Sequence, residues 1–125
     1  MPLVKLHVSS GCVFNRKALV REVRLAVVEV LGIAPDHGHV VLYESPLFSR
    51  STHESRSGDF IFVEIIMFSG RTGAMKELLF RRLNDVIGGR TGVPETDILF
   101  VVTEADRDNW AARGGVPISR LDIGY

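Results

Sequence analysis

A chain of 125 residues fits one domain around one core. Its 46% hydrophobic and 24% charged content, with 15 Lys and Arg balancing 15 Asp and Glu, excludes a disordered chain and a phosphate-backbone binder, which needs a cationic face. There is no membrane-length apolar run, no visible signal peptide and one cysteine, Cys12; the expectation is a cytoplasmic protein with no nucleic-acid or membrane partner.

Residues 3–8 (LVKLHV) alternate apolar and polar, as a half-buried strand does. After Ser9, Ser10 and Gly11, residues 15–31 repeat apolar side chains at three- and four-residue steps, an amphipathic helix capped by Asn15 and stopped at Gly32. Residues 39–43 (HVVLY) read as a second strand, and the polar, Ser- and Arg-rich stretch 45–58 as a long loop. The order then recurs. Residues 59–68 (DFIFVEIIMF) are apolar enough for a strand buried on both faces. A second helix is expected over 72–87, ended by Gly88, Gly89 and Gly92, and a fourth strand over 97–103.

The halves 2–44 and 59–104 echo each other at an offset of 59 to 60 residues, Ser9-Ser10-Gly11 against Phe68-Ser69-Gly70 and Gly32 against Gly92. A βαβ unit written twice predicts an α+β domain over 1–125: a four-stranded mixed sheet with two helices on one face and right-handed crossovers. The uncovered face is expected to be apolar in both halves and to promote self-association.

Two features carry chemistry. Met1 precedes the small residue Pro2; its removal leaves a secondary amine at a strand start, and burial or nearby cations lower such an amine from about 7.7–8.0 toward use as a base. If Met1 stays, the Pro2 nitrogen is an amide without basicity. In the second half, Ser69-Gly70-Arg71-Thr72 sets a guanidinium beside a helix N-terminus, an arrangement that binds carboxylates; the first half has Cys12 at that station. His37 and His39 are too few for a metal and suit hydrogen bonding, while His7 on its strand reads as structural.

An early proline, a Gly-Arg-Thr turn and doubled βαβ patterning together resemble the tautomerase superfamily, among its two-unit members the malonate semialdehyde decarboxylase and cis-3-chloroacrylic acid dehalogenase branches. The resemblance implies a cofactor-free, metal-free enzyme acting on a small 2-oxo or unsaturated carboxylic acid, assembled as a homotrimer. It implies Pro2 as general acid/base and Arg71 as carboxylate holder. Substrate contacts then fall on Ser69, where the decarboxylase branch has a second arginine, on His37, near that branch's aspartate, and on Trp110 followed by Arg113. Phe68 stands where the dehalogenase branch has its other arginine, and Ala26-Val27-Val28-Glu29 lacks that branch's histidine, which weighs against dehalogenation more than decarboxylation. The resemblance also reaches the macrophage migration inhibitory factor group, which implies as alternative a non-catalytic interaction protein on the same trimeric scaffold.

Overall fold

The computed structural model describes residues 1–122. Its elements run β1 (Pro2–Ser9), α1 (Arg16–Leu31), β2 (His39–Ser45), β3 (Ile61–Phe68), α2 (Gly73–Thr91) and β4 (Ile98–Ala105), followed by a short hairpin of β5 (Ala111–Ala112) and β6 (Val116–Pro117). The main sheet has the order β2-β1-β3-β4. Pairing is parallel within each βαβ half, and antiparallel where β1 meets β3. That antiparallel seam places Pro2 opposite Met67 and so joins the start of the first half to the end of β3.

The strand period of two explains the core. Val4, Leu6 and Val8 of β1 and Ile61, Val63, Ile65 and Met67 of β3 face Leu19, Val23 and Val27 of α1 and Leu79, Leu83 and Ile87 of α2, and all are buried. Each such side chain contributes about 1.5–3 kcal/mol on leaving water. Across the helix seam, Arg82 donates to Glu29 at 2.7 Å and Arg90 to Glu22 at 2.9 Å.

Both helices begin and end by the same means. Asn15 Oδ1 accepts the Ala18 N–H at 3.0 Å, and Thr72 Oγ1 accepts that of Met75 at 3.1 Å. Gly32 (φ 64°) and Gly92 (φ 68°) close them in the left-handed conformation. Past the second strand of each half the chain makes a 3-10 turn, Leu47–Ser49 and Arg107–Asn109, entered and left through nearly identical backbone angles.

Three expectations are corrected. Gly88 and Gly89 do not end α2, which runs on to Thr91; only at Gly92 does the backbone turn left-handed, and the Gly92 N–H closes on the Gly88 carbonyl at 2.9 Å. β3 is sealed on one face alone, since both helices lie there and Phe62, Glu64 and Ile66 stay partly exposed on the other. That other face is not uniformly apolar either. Exposed Val41, Tyr43, Leu99 and Val101 flank a polar centre in which His7 Nε2 meets Glu64 Oε2 at 2.7 Å and Lys5 lies opposite Glu64 in register. The His7 ring stacks between Tyr43 and Phe62, with centroids at 4.9 and 4.1 Å.

Candidate active site

Three strand termini meet at one end of the sheet. Pro2 opens β1, Phe68 closes β3, and Ala105, paired with Phe68, closes β4. The segments that leave the last two carry Arg71 and Arg107, so topology alone brings both guanidiniums to the start of the chain.

Pro2 is buried. Its ring packs on Gly38, where an added Cβ would lie 3.6 Å from Pro2 Cγ and where φ is +85°, a conformation that disfavours any side chain. The loop supplying Gly38 is tied to α1 by Arg24, whose Nη1 donates to the carbonyls of Pro35 at 2.7 Å and His37 at 3.1 Å. With Met1 attached, the Pro2 nitrogen is an amide and the amine at the site belongs to Met1. Burial, then the charge of Arg71, then that of Arg107, push that amine down from 8.0 to about 5, so it is neutral at pH 7. Burial and the charge of Arg107 also push the Arg71 guanidinium downward, against an opposing pull from Glu104.

Arg71 sits half-buried in the turn between Gly70 (φ 113°) and the cap Thr72. Gly70 N–H donates to Glu104 Oε2 at 3.2 Å, and Glu104 Oε1 is paired with Lys76 Nζ. Arg107 lies over the Phe68 ring, its Cζ 5.2 Å from the centroid. Trp110 meets the same ring edge-on at 5.5 Å and donates Nε1–H to the Ala105 carbonyl at 3.0 Å. Trp110 and Phe68 therefore pack together beside Arg107.

The expected site residues divide into two groups around the chain start. Arg71 lies within the fields of Arg107 and Glu104. A cavity of about 370 Å3 beside Met1 is lined by Asp36, His37 and His39 from the start of β2 and the loop before it and by Arg113 and Ile118 from the hairpin region. Arg71, Ser69 and Trp110 lie outside its wall. Arg113 reaches this place through a left-handed backbone (φ 48°) that begins the hairpin turn. Ser69 is exposed.

Reading the residues in order missed Arg107, Glu104, Lys76 and Arg24. Arg107 had a usable signal: it stands in the same short loop as Trp110. Glu104 and Arg24 act on backbone groups and Lys76 on the Glu104 carboxylate, all distant in sequence, which no local pattern announces.

The chain thus gathers an amine and guanidiniums at one strand end of paired βαβ units. Residues 47–113, more than half the chain, match the family described as tautomerase enzyme, and the chain belongs to that family. Among solved structures, it is similar to FG41 malonate semialdehyde decarboxylase inhibited by 3-bromopropiolate, at 21% identity over 87% of both chains with a TM-score of 0.74. It is also similar to a wild-type fused 4-OT described as a symmetric trimer, at 20% identity over 94% of this chain and 96% of that one with a TM-score of 0.83. A second malonate semialdehyde decarboxylase structure, studied for decarboxylase and hydratase activities, aligns at 16% identity over 90% and 92% of the two chains with a TM-score of 0.75. No curated protein matches the chain significantly.

Proposed function

We propose that the protein, once Met1 is removed, uses the Pro2 amine as general acid/base on a small 2-oxo or unsaturated carboxylic acid. The observation that carries this reading is the convergence at one strand end of a buried chain start and two guanidiniums, which favours a neutral amine beside an anion-binding group. Arg71 holds the carboxylate and draws electron density toward it. The neutral nitrogen takes a proton from the carbon next to the carbonyl and returns it to another position, interconverting keto and enol forms. Phe68 and Trp110 shield the reacting atoms, Ser69 borders the carboxylate, and His37 and Arg113 receive the far end of the substrate in the neighbouring cavity. A cationic Pro2 would instead polarise a carbonyl and support decarboxylation or hydration. None of these roles calls for a metal or cofactor. The partly apolar uncovered sheet face supports a homotrimer, and the lone Cys12 supports a cytoplasmic setting; among the described residues no helix is long and apolar enough to cross a membrane.

The test has two parts. Intact mass of the protein from its own host is expected to lack Met1. A panel of enolisable and unsaturated short acids is expected to be turned over by the native protein, with kcat/KM reduced about 10- to 100-fold in Arg71→Ala, the worth of hydrogen bonds to a charged group. Retained Met1 with no turnover favours the non-catalytic interaction protein on the same scaffold. Equal rates for native protein and variant remove Arg71 from its role.

A further inference from the structure

We propose that Glu104 and Lys76 are positioning residues for Arg71, the Glu104 carboxylate bridging the Lys76 ammonium and the Gly70 N–H and so holding the turn that presents the guanidinium. This rests on the reading of Arg71 as the carboxylate holder.

Glu104 precedes the last residue of β4, opposite Met67 in register, and its side chain crosses to the turn that leaves β3. Lys76 comes from the first turn of α2. One carboxylate therefore joins a strand end, a helix start and the turn between them. On the far side of Arg71, Thr72 caps the helix, so the residue is fixed on both flanks.

The station sixty residues earlier shows that this bridge is not a default of the fold. There Ser10, the counterpart of Ser69, donates its N–H to the backbone carbonyl of Ser45 at 2.8 Å. The equivalent carboxylate, Glu44, instead takes Arg16 Nε at 2.9 and 3.0 Å. In the second half the carbonyl equivalent to that of Ser45 belongs to Ala105, and Trp110 Nε1 occupies it. The Gly70 amide bonds to the Glu104 side chain. The carboxylate at this strand position reaches the turn in the half whose turn carries an arginine, whereas Glu44 reaches Arg16 of α1. Hydrogen bonds from Lys76 and Gly70 and the charges of Lys76 and Arg71 hold the Glu104 carboxyl below the usual carboxylate range, so the bridge is ionised at neutrality.

The experiment compares native protein with Glu104→Gln, Lys76→Met, Lys76→Arg and Arg71→Ala. Calorimetric titration with 2-oxobutyrate and with its uncharged methyl ester reads the carboxylate contact, and exchange of the Gly70 amide reads the turn without any ligand. Glu104→Gln and Lys76→Met are expected to accelerate Gly70 exchange and to weaken 2-oxobutyrate about three- to ten-fold, the worth of one net hydrogen bond. The ester is expected to be unaffected, and Lys76→Arg to recover most of the acid affinity. Native exchange at Gly70 in Glu104→Gln overturns the proposal, as does equal weakening of acid and ester. Native acid affinity in Glu104→Gln while Arg71→Ala loses it overturns the positioning role alone. Unchanged acid affinity in Arg71→Ala overturns the reading of Arg71 and this inference with it.

Discussion

At the scale of single residues the proposed mechanism depends on lowering the affinity of one amine for its proton. At the Met1 amine burial removes hydration from the charged form, and Arg71 and Arg107 repel it; all three act in the same direction, and the proposal carries that environment over to the Pro2 amine once Met1 is removed. A base with a lowered pKa is free at neutral pH and is lost as pH falls through that pKa. The kcat/KM profile of the processed protein is therefore expected to be flat through neutrality, with its acid limb below the ordinary amine range. Arg107→Ala removes one repelling charge and shifts that limb upward, Arg71→Ala more so; a limb that stays in place in both variants refutes the electrostatic account. Pro2→Ala keeps an amine but loses the ring packed on Gly38, and kcat/KM is expected to fall without vanishing, since a general acid–base group contributes about 10²–10⁴-fold. Of these groups, Pro2 and Arg71 stand out in the sequence because their types and neighbours are unusual. Arg107 does not, because its effect exists only when β3 and β4 end side by side.

At the scale of elements, short-range chemistry decides where helices begin and stop. Asn15 and Gly32 bound α1 as their residue types demand. Two glycines failed as stop signals in α2: the helix carries Gly88 and Gly89 through, and its last turn continues to Thr91, whose hydroxyl donates to the Ile87 carbonyl at 2.7 Å. Thr72→Ala is expected to cost about 1 kcal/mol of stability in denaturant unfolding, as an N-cap loss does. It is also expected to raise KM for acids, since the cap borders Arg71. Gly38→Ala forces a side chain into a left-handed backbone at 3.6 Å from Pro2 Cγ and is expected to lower both stability and kcat/KM. Between the helices, the Arg90–Glu22 pair holds the Glu22 carboxyl below its usual range. Its contribution is present above pH 4.5 and fades as pH falls through the lowered value, and on an exposed pair it is small.

At the scale of the whole molecule, two layers leave one sheet face without a covering helix. Its apolar edges and its His7–Glu64 centre suit packing against other copies of the chain better than lasting exposure to water. Sedimentation equilibrium is expected to give a trimer, and Val101→Asp, which sets a second carboxylate beside Glu64 in register, is expected to dissociate it. A monomeric native protein would contradict the proposed assembly. Leu83→Ala in the sealed core is expected to cost about 2–5 kcal/mol, without changing the assembled state of whatever remains folded.

The amino-acid order by itself determined the four strands of the main sheet, the helix starts and the doubled layout, and it singled out two candidate site residues, because periodicity, caps and a Gly-Arg turn act over a few neighbours. The tertiary structure alone decided which face of β3 is sealed, that the candidate residues divide into two groups around the chain start, and that Arg107, Glu104 and Lys76 join them. Those outcomes depend on groups far apart in sequence, from Lys76 and Glu104 to Met1 and Arg107, meeting in space, where charge and hydrogen bonding act between neighbours that a linear pattern does not record.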